Sequence, residues 1–502
     1  MSSTETAGKH ELRTYGGWRR PGRPGLGRLG FAPTILVFFG LLATIAAMAS
    51  SLRLAAGVAF AFALVLTPLV VSDRHHRSGL EALVARVAWA LGRLGGRHLY
   101  RSGPTGALPT ARFSLPGLAA AILATAALDA AGRPFALLHH PTTNTATAVI
   151  QATPEGQSLV DEDTIDCWVA SWGEFLAALG EDPSLLGASV TIETAPDPGT
   201  RLATELQRRI QPTSPELARA VLEEVASTYP RTGAITTARI ALTWGCARAG
   251  GGRRGLDAMA GELARRLPGI CLALAGTGAG AARPMGVAEL AGAIRCAYDP
   301  AAAPLVEAAA PGTIAWEDCG PVAADERIGS YHHDGAVSIS WAMTSAPRGA
   351  VASSVLVPIL RPHPHIDVKH VTLLFRPYSP GSAARLVERD HRDAIFSANG
   401  SLIPRAVDLA KLTAAQQAAA EDAAGAGLIR FGLIVTATVA AGRNTKEALA
   451  LAEAAVEALA TQSRLTLRRA WRCQATTFVA GLPLGILLPR HLRVPGEFRE
   501  LL

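Results

Sequence analysis

The chain has 502 residues, 49% of them hydrophobic and 18% charged, a balance that excludes a disordered polymer and leaves room for two to four domains. Its net charge of +7 is carried almost wholly by arginine, because lysine occurs only at Lys9, Lys369, Lys411 and Lys446. The cysteines Cys167, Cys246, Cys271, Cys296, Cys319 and Cys473 form no C-x-x-C pair, which argues against a zinc or dithiol motif and suits free thiols in a reducing compartment.

In chain order, residues 1–30 form a basic tail carrying Lys9, Arg13, Arg19, Arg20, Arg23 and Arg28. Such a segment suits anionic lipid or nucleic acid, and beside an apolar run the lipid reading is simpler. Residues 31–71 hold two uncharged runs, Phe31 to Ser50 and Leu54 to Val71, separated only by Ser51, Leu52 and Arg53. Their lengths predict a transmembrane helical hairpin, with Phe31, Leu41, Leu54, Phe60 and Val71 as anchoring residues. Arg19, Arg20, Arg23 and Arg28 before the hairpin, and Arg74 and Arg77 after it, would face the membrane surface. The positive-inside rule then puts both termini in the cytoplasm and the protein in a cytoplasmic membrane. Residues 72–134 read as a juxtamembrane amphipathic helix, with Leu80, Leu83, Val84, Val87 and Leu91 on one face, followed by a connector.

From residue 135 strands and helices alternate. The expected strands are Thr145 to Thr153, Ala188 to Thr194, Ala234 to Trp244, Ile270 to Leu274, Ala336 to Met343, Val371 to Arg376, Phe431 to Val439 and Leu465 to Thr477. The expected helices are Thr164 to Leu179, Ser214 to Tyr229, Arg254 to Leu267, Val351 to Leu360, Ser382 to Phe396 and Thr445 to Gln462, with a connecting helix within Met285 to Pro300. Val190 to Gly199 resembles Val371 to Gly381, which suggests a duplication. The fold class expected is α+β: the hairpin followed by two similar mixed α/β subdomains, 135–285 and 331–502, joined by 286–330.

Chemistry-bearing motifs are sparse. The chain contains no G-x-x-x-x-G-K-[ST], so it lacks the lysine and hydroxyl that hold triphosphate and magnesium. Gly276 to Ala281 fits G-x-G-x-x-[GA] loosely but reads as a flexible connector. His363, His365 and His370 with Asp367 could ligate a metal, yet Pro362 and Pro364 favour a loop of solvated histidines. His139-His140 and His332-His333 are similar isolated pairs. The residues therefore assign no catalytic, cofactor or metal site, and the protein is not expected to be an enzyme.

Several segments carry a family resemblance. Tyr15-Gly16-Gly17-Trp18-Arg19-Arg20-Pro21 ahead of the hairpin resembles the small PrgI-type or VirB-type subunit of type IV secretion systems. HLYRSGP (His98 to Pro104), RPFALLHHP (Arg133 to Pro141) and WVASWGEFLAALG (Trp168 to Gly180) resemble an actinobacterial family encoded in conjugative elements. So do AYDP (Ala297 to Pro300), SWAMTSAPRG (Ser340 to Gly349), FRPYSPGSAARLVERDHRDA (Phe375 to Ala394) and GLPLG (Gly481 to Gly485). More distantly, these segments resemble the amino-terminal half of CagE/TrbE/VirB conjugation ATPases, whose motor would follow GLPLG and is expected here on a separate polypeptide. The resemblance implies a non-catalytic membrane subunit of a type IV secretion-like apparatus that docks a secretion ATPase. Its expected partners are that ATPase, other membrane subunits, lipid and further copies of the chain, with contact of the tail to DNA left open. An EccE-like component of type VII secretion is the alternative, and a tethered transferase or hydrolase the third reading.

Overall fold

Two apolar helices lead the chain, α1 (Phe31–Met48) and α2 (Leu52–Val70). They pack side by side through small residues. Ala47 and Ala55 are buried, and Gly40 lets the Phe62 ring approach to where a Cβ would clash at 2.7 Å. Among the described residues, however, no helix is long and apolar enough to cross a membrane. The helices have 18 and 19 residues, about 27 and 28 Å at 1.5 Å per residue, against a hydrocarbon core of about 30 Å. The turn removes Ser50 from the first apolar run, and the second helix takes Arg53 into its first turn. The expected transmembrane hairpin, the two-span location in a cytoplasmic membrane and its orientation are corrected accordingly. The amphipathic helix α3 (Gly79–Leu94) forms as expected, but its assignment to a membrane leaflet falls with the hairpin.

The computed structural model describes residues 13–16, 18, 31–70, 79–106, 112–154, 156, 160–197, 205–206, 208, 215–228, 233–247, 255–310, 312–347, 349–399 and 405–492. Its centre is one 13-stranded sheet. The earlier strands are β1 (Leu99–Arg101), β2 (Leu123–Leu128), β3 (Pro134–His140), β4 (Thr145–Thr153), β5 (Leu185–Pro196), β6 (Ala234–Gly245) and β7 (Ala281–Pro284). The later ones are β8 (Ala323–Glu326), β9 (Tyr331–His333), β10 (Ala336–Ser345), β11 (Val368–Pro377), β12 (Ile429–Ala440) and β13 (Thr466–Arg469). The order is β1-β8-β9-β10-β12-β11-β5-β6-β4-β3-β2, with β13 joined to β10 and β7 to β4.

Every ladder between named strands is antiparallel, so the mixed sheets expected from sequence are corrected to one antiparallel sheet. Outward from its middle the sheet reads β5-β6-β4-β3 on one side and β11-β12-β10-β9 on the other. The two similar segments of sequence face each other at the centre, where Thr191 lies opposite Thr372 and Val190 opposite Leu373. Joining there removes two strand edges that separate subdomains would expose.

Helices cover one face. There α4 (Glu162–Glu181) lies over β11 and β12, and its Phe175 and Leu179 join one core cluster with side chains of β3, β4 and β6 and with the stripe Met259, Leu263, Leu267, Cys271 and Leu274 of α6 (Leu256–Leu274). The expected strand at Ile270 to Leu274 is the last turn and a half of that helix, because the stripe keeps its spacing of four and three. Between them in sequence lies α5 (Glu216–Thr228). The other face carries α7 (Val287–Tyr298), whose Leu290, Ile294 and Tyr298 are fully buried. The paired helices α8 (Pro380–Asn399) and α9 (Ala406–Ala423) follow β11, and α10 (Thr445–Gln462) buries Ala452, Val456 and Ala460 against β10 and β12.

Two further expectations change. Val351 to Leu360 holds only short helical turns at Ser353–Leu356 and Val357–Leu360. The expected strand Leu465 to Thr477 stops at Arg469 and gives way to the helix α11 (Gln474–Ala480).

Candidate functional site

The sheet face beneath α7 and α11 is unusual in being both polar and closed. On β5 the residues Ser189, Thr191 and Glu193 share this face, and alternation aligns it with Thr243 and Arg239 of β6 and with His370 and Thr372 of β11. The row continues through Thr147 on β4, Thr436 and Thr438 on β12, and Ser338 and Ser340 on β10. Most of these side chains are buried, so each needs an internal partner.

The segment after Cys473 supplies many of those partners. Gln474 receives the Ser340 N–H at 2.8 Å and returns its own amide to the Ser340 carbonyl at 3.3 Å. The Gly481 carbonyl accepts from Thr372 at 2.5 Å and from Thr191 at 3.3 Å, and the Gly485 carbonyl accepts from Thr243 at 3.2 Å. Gly485 has φ +67°, and a Cβ there would stand 2.3 Å from Thr147 Oγ1 and 2.4 Å from Thr243 Oγ1. The GLPLG motif is thus a strap whose glycines permit backbone contact with the hydroxyl row.

Two groups under this strap have the elements of catalytic chemistry. His333 Nδ1 donates to the Tyr298 carbonyl at 2.5 Å, which leaves Nε2 to accept from the Ser338 hydroxyl at 2.7 Å, with Thr438 Oγ1 a further 2.7 Å on. Burial pushes the His333 pKa down to about 4, in keeping with a neutral ring. A serine bonded to an oriented neutral histidine is the arrangement of an activated nucleophile. Here it is sealed: Ser338 is 0% exposed, and the His333 ring is enclosed by Phe478, Tyr331 and Tyr298 at 4.8, 5.2 and 5.8 Å.

The second group is Glu193, held by Arg239 at 2.8 Å and His370 at 3.0 Å. Burial raises the Glu193 pKa, but the Arg239 charge and the His370 hydrogen bond outweigh it and hold the carboxyl well below the usual range. Both partners are spent on one carboxylate, which suits a cross-strand clamp better than proton transfer. Nearby, Arg295 ties α7 to the β9–β10 turn, bonding Asp299 at 2.8 Å, Asp334 at 2.9 Å and the Gly320 carbonyl at 2.6 Å.

The structure disperses the candidate histidines. His370 is buried beside Glu193, whereas His363 and His365 lie together on the preceding loop, and Asp367 accepts the Ala440 N–H. Among the described residues no group of three or more His, Cys, Asp or Glu is placed to hold a metal ion. His140 is buried, with its pKa pushed down to about 4 by desolvation. The glycine run at Gly276 to Gly280 is a turn linking α6 to β7, and Trp168 sits where a Cβ on Gly278 would be. Lys369 is buried on the helix-covered face and donates to the Arg361 carbonyl, and desolvation lowers its pKa to about 8.

Of the surface residues singled out by sequence, Phe31 opens α1, while Leu41, Leu54 and Phe60 are exposed on the helix pair. Val71, Arg19, Arg20, Arg23, Arg28, Arg74 and Arg77 lie outside the described residues. The tail motif engages the body. Tyr15 exchanges two backbone hydrogen bonds with Val351 at 2.8 Å, its hydroxyl bonds Asp166 at 2.9 Å, and Trp18 meets Phe431 edge-on at 5.2 Å. Sequence reasoning missed the buried Ser338–His333 pair, which the alternation of β9 and β10 could have placed on one face.

A family model described as a domain of unknown function (DUF8461) matches residues 22–81. No curated protein matches the chain.

Proposed function

We propose that the chain is a non-catalytic structural subunit of a type IV secretion-like conjugation apparatus, and that its body docks a separate secretion ATPase. The observation that carries this reading is the use made of the reactive side chains. Ser338, His333 and His370 are buried, and with the largely enclosed Glu193 they serve to fasten neighbouring strands and α7 to one another. Nucleotide hydrolysis would come from the partner, since the sequence has no loop with the lysine and hydroxyl that triphosphate chemistry needs. The apolar flank of α1 and α2, with Phe38, Phe39, Leu42, Phe60 and Leu64 each more than half exposed, suits contact with other subunits.

The test is a pull-down of tagged full-length chain from cross-linked cells of the source organism, read by mass spectrometry. Recovery of a P-loop ATPase with conjugation subunits supports the reading. Recovery of type VII core proteins moves the chain to that machine, and recovery of no ATPase contradicts docking.

A further inference from the structure

A cleft of 610 Å³ lies away from the closed sheet face, between α3 and the edge formed by α10 and β13. Its apolar lining includes Trp341, Val456, Ala460 and Leu465. Arg86, Arg468, Arg469 and Arg472 line it against Glu453 and Glu457, a net charge of +2. Arg469 is committed: it bonds Glu453 at 2.5 Å and the Gly329 carbonyl at 2.9 Å, and stacks 4.5 Å from the Trp471 ring centroid. Arg86, Arg468 and Arg472 make no ion pair with a described residue. The cleft also contains a strand edge. β13 pairs with β10 from Arg469 opposite Trp341 to Thr466 opposite Ser345, and among the described residues no strand pairs with its outer side.

From this geometry we infer that the cleft takes an extended acidic peptide segment of a partner protein, added as a strand to the outer edge of β13. Apart from the Arg469 carbonyl, which accepts the Trp471 N–H, the β13 edge supplies main-chain hydrogen bonds; the exposed Trp471 ring offers apolar contact above the buried lining, and the uncommitted guanidiniums take carboxylates. A nucleic acid would use the arginines but not the strand edge. This inference deepens the docking reading by naming the chemistry of the docked segment.

The experiment is fluorescence anisotropy on purified full-length chain with a labelled decapeptide of alternating valine and glutamate. Binding is expected, weakened at least tenfold in Arg468→Glu/Arg472→Glu and, independently, in Arg86→Glu on the facing helix. The same peptide N-methylated on alternate residues, which cannot complete a ladder, is expected to bind at least tenfold more weakly. Absence of binding, binding indifferent to both variants, or equal binding of the methylated peptide would each overturn the inference. Preference for a ten-residue oligothymidylate would overturn it in favour of a phosphate-polymer site. Because only the purified chain is used, failure here leaves the pull-down result standing, and failure of the pull-down leaves peptide binding standing.

Discussion

Replacing Gly485 with alanine tests whether the GLPLG strap is set by backbone contact with the sheet. Gly485 has φ +67°, a region that costs an L-residue about 1–2 kcal/mol. The new Cβ would also stand 2.3 and 2.4 Å from the Thr147 and Thr243 hydroxyls, far inside van der Waals contact. Thr147 and Thr243 are buried, bond each other at 2.9 Å, and Thr243 also bonds the Gly485 carbonyl, so neither can swing away freely. Overpacking of this kind adds about 1–3 kcal/mol, giving a total of about 2–5 kcal/mol. The control is Gly425→Ala at φ +86°, where nothing lies within 4 Å of the new methyl and only the conformational cost applies. Urea unfolding of the full-length chain, followed by tryptophan fluorescence, measures both. Thr147→Ala/Thr243→Ala in the Gly485→Ala background should recover part of the loss. Equal destabilisation by Gly485→Ala and Gly425→Ala would refute the strap geometry.

Lys369→Met should stabilise the chain at pH 7. A folded pKa of about 8 against 10.5 for the free side chain means the buried ammonium costs up to about 3 kcal/mol. Loss of its bond to the Arg361 carbonyl returns about 1 kcal/mol, so a net gain of about 1–2 kcal/mol in urea unfolding is expected. Because the folded state releases this proton first, the wild type should gain stability as pH rises from 8 to 10.5 and the variant should not. His140 and His333 act in acid. Their folded pKa values of about 4, below the free value of 6.5, give stability that is full above pH 6.5 and lost as pH falls towards 4. A Tm series from pH 7 to 4 should fall steeply, and less so in His140→Phe. Tyr15→Ala/Trp18→Ala should release the tail clasp, seen as faster tryptic cleavage after Arg13 with little change in Tm.

The elements legible in the sequence were those with strong local signals. Thr145–Thr153 and Thr445–Gln462 appear with the expected ends, because β-branched alternation marks the one and an alanine-rich helical period the other. Ile270 to Leu274 reads as a strand only when cut from the longer stripe beginning at Met259. Leu123–Leu128 and Pro134–His140 carry no strong local strand signal, since their alanine and proline hide a pairing that only the neighbouring strands decide. The similarity of Val190 to Gly199 and Val371 to Gly381 was visible, but not that the two strands pair in one sheet, because register is a tertiary property. The apolar runs at the front were visible as well. What local hydropathy did not convey was where the turn falls and that the second helix includes Arg53. The closed polar face left the faintest trace, because serines and threonines spread over β4, β5, β6, β10, β11 and β12 become one row only through alternation across the sheet.

The central claim, that the chain docks an ATPase and does not itself hydrolyse nucleotide, is met most directly by mixing the purified full-length chain with the purified secretion ATPase. Elution is followed by size-exclusion chromatography with light scattering, and phosphate release is measured on each component alone. The account predicts a co-eluting complex and no ATP hydrolysis by the chain alone. Separate elution of the two proteins, or hydrolysis by the chain alone, would contradict it.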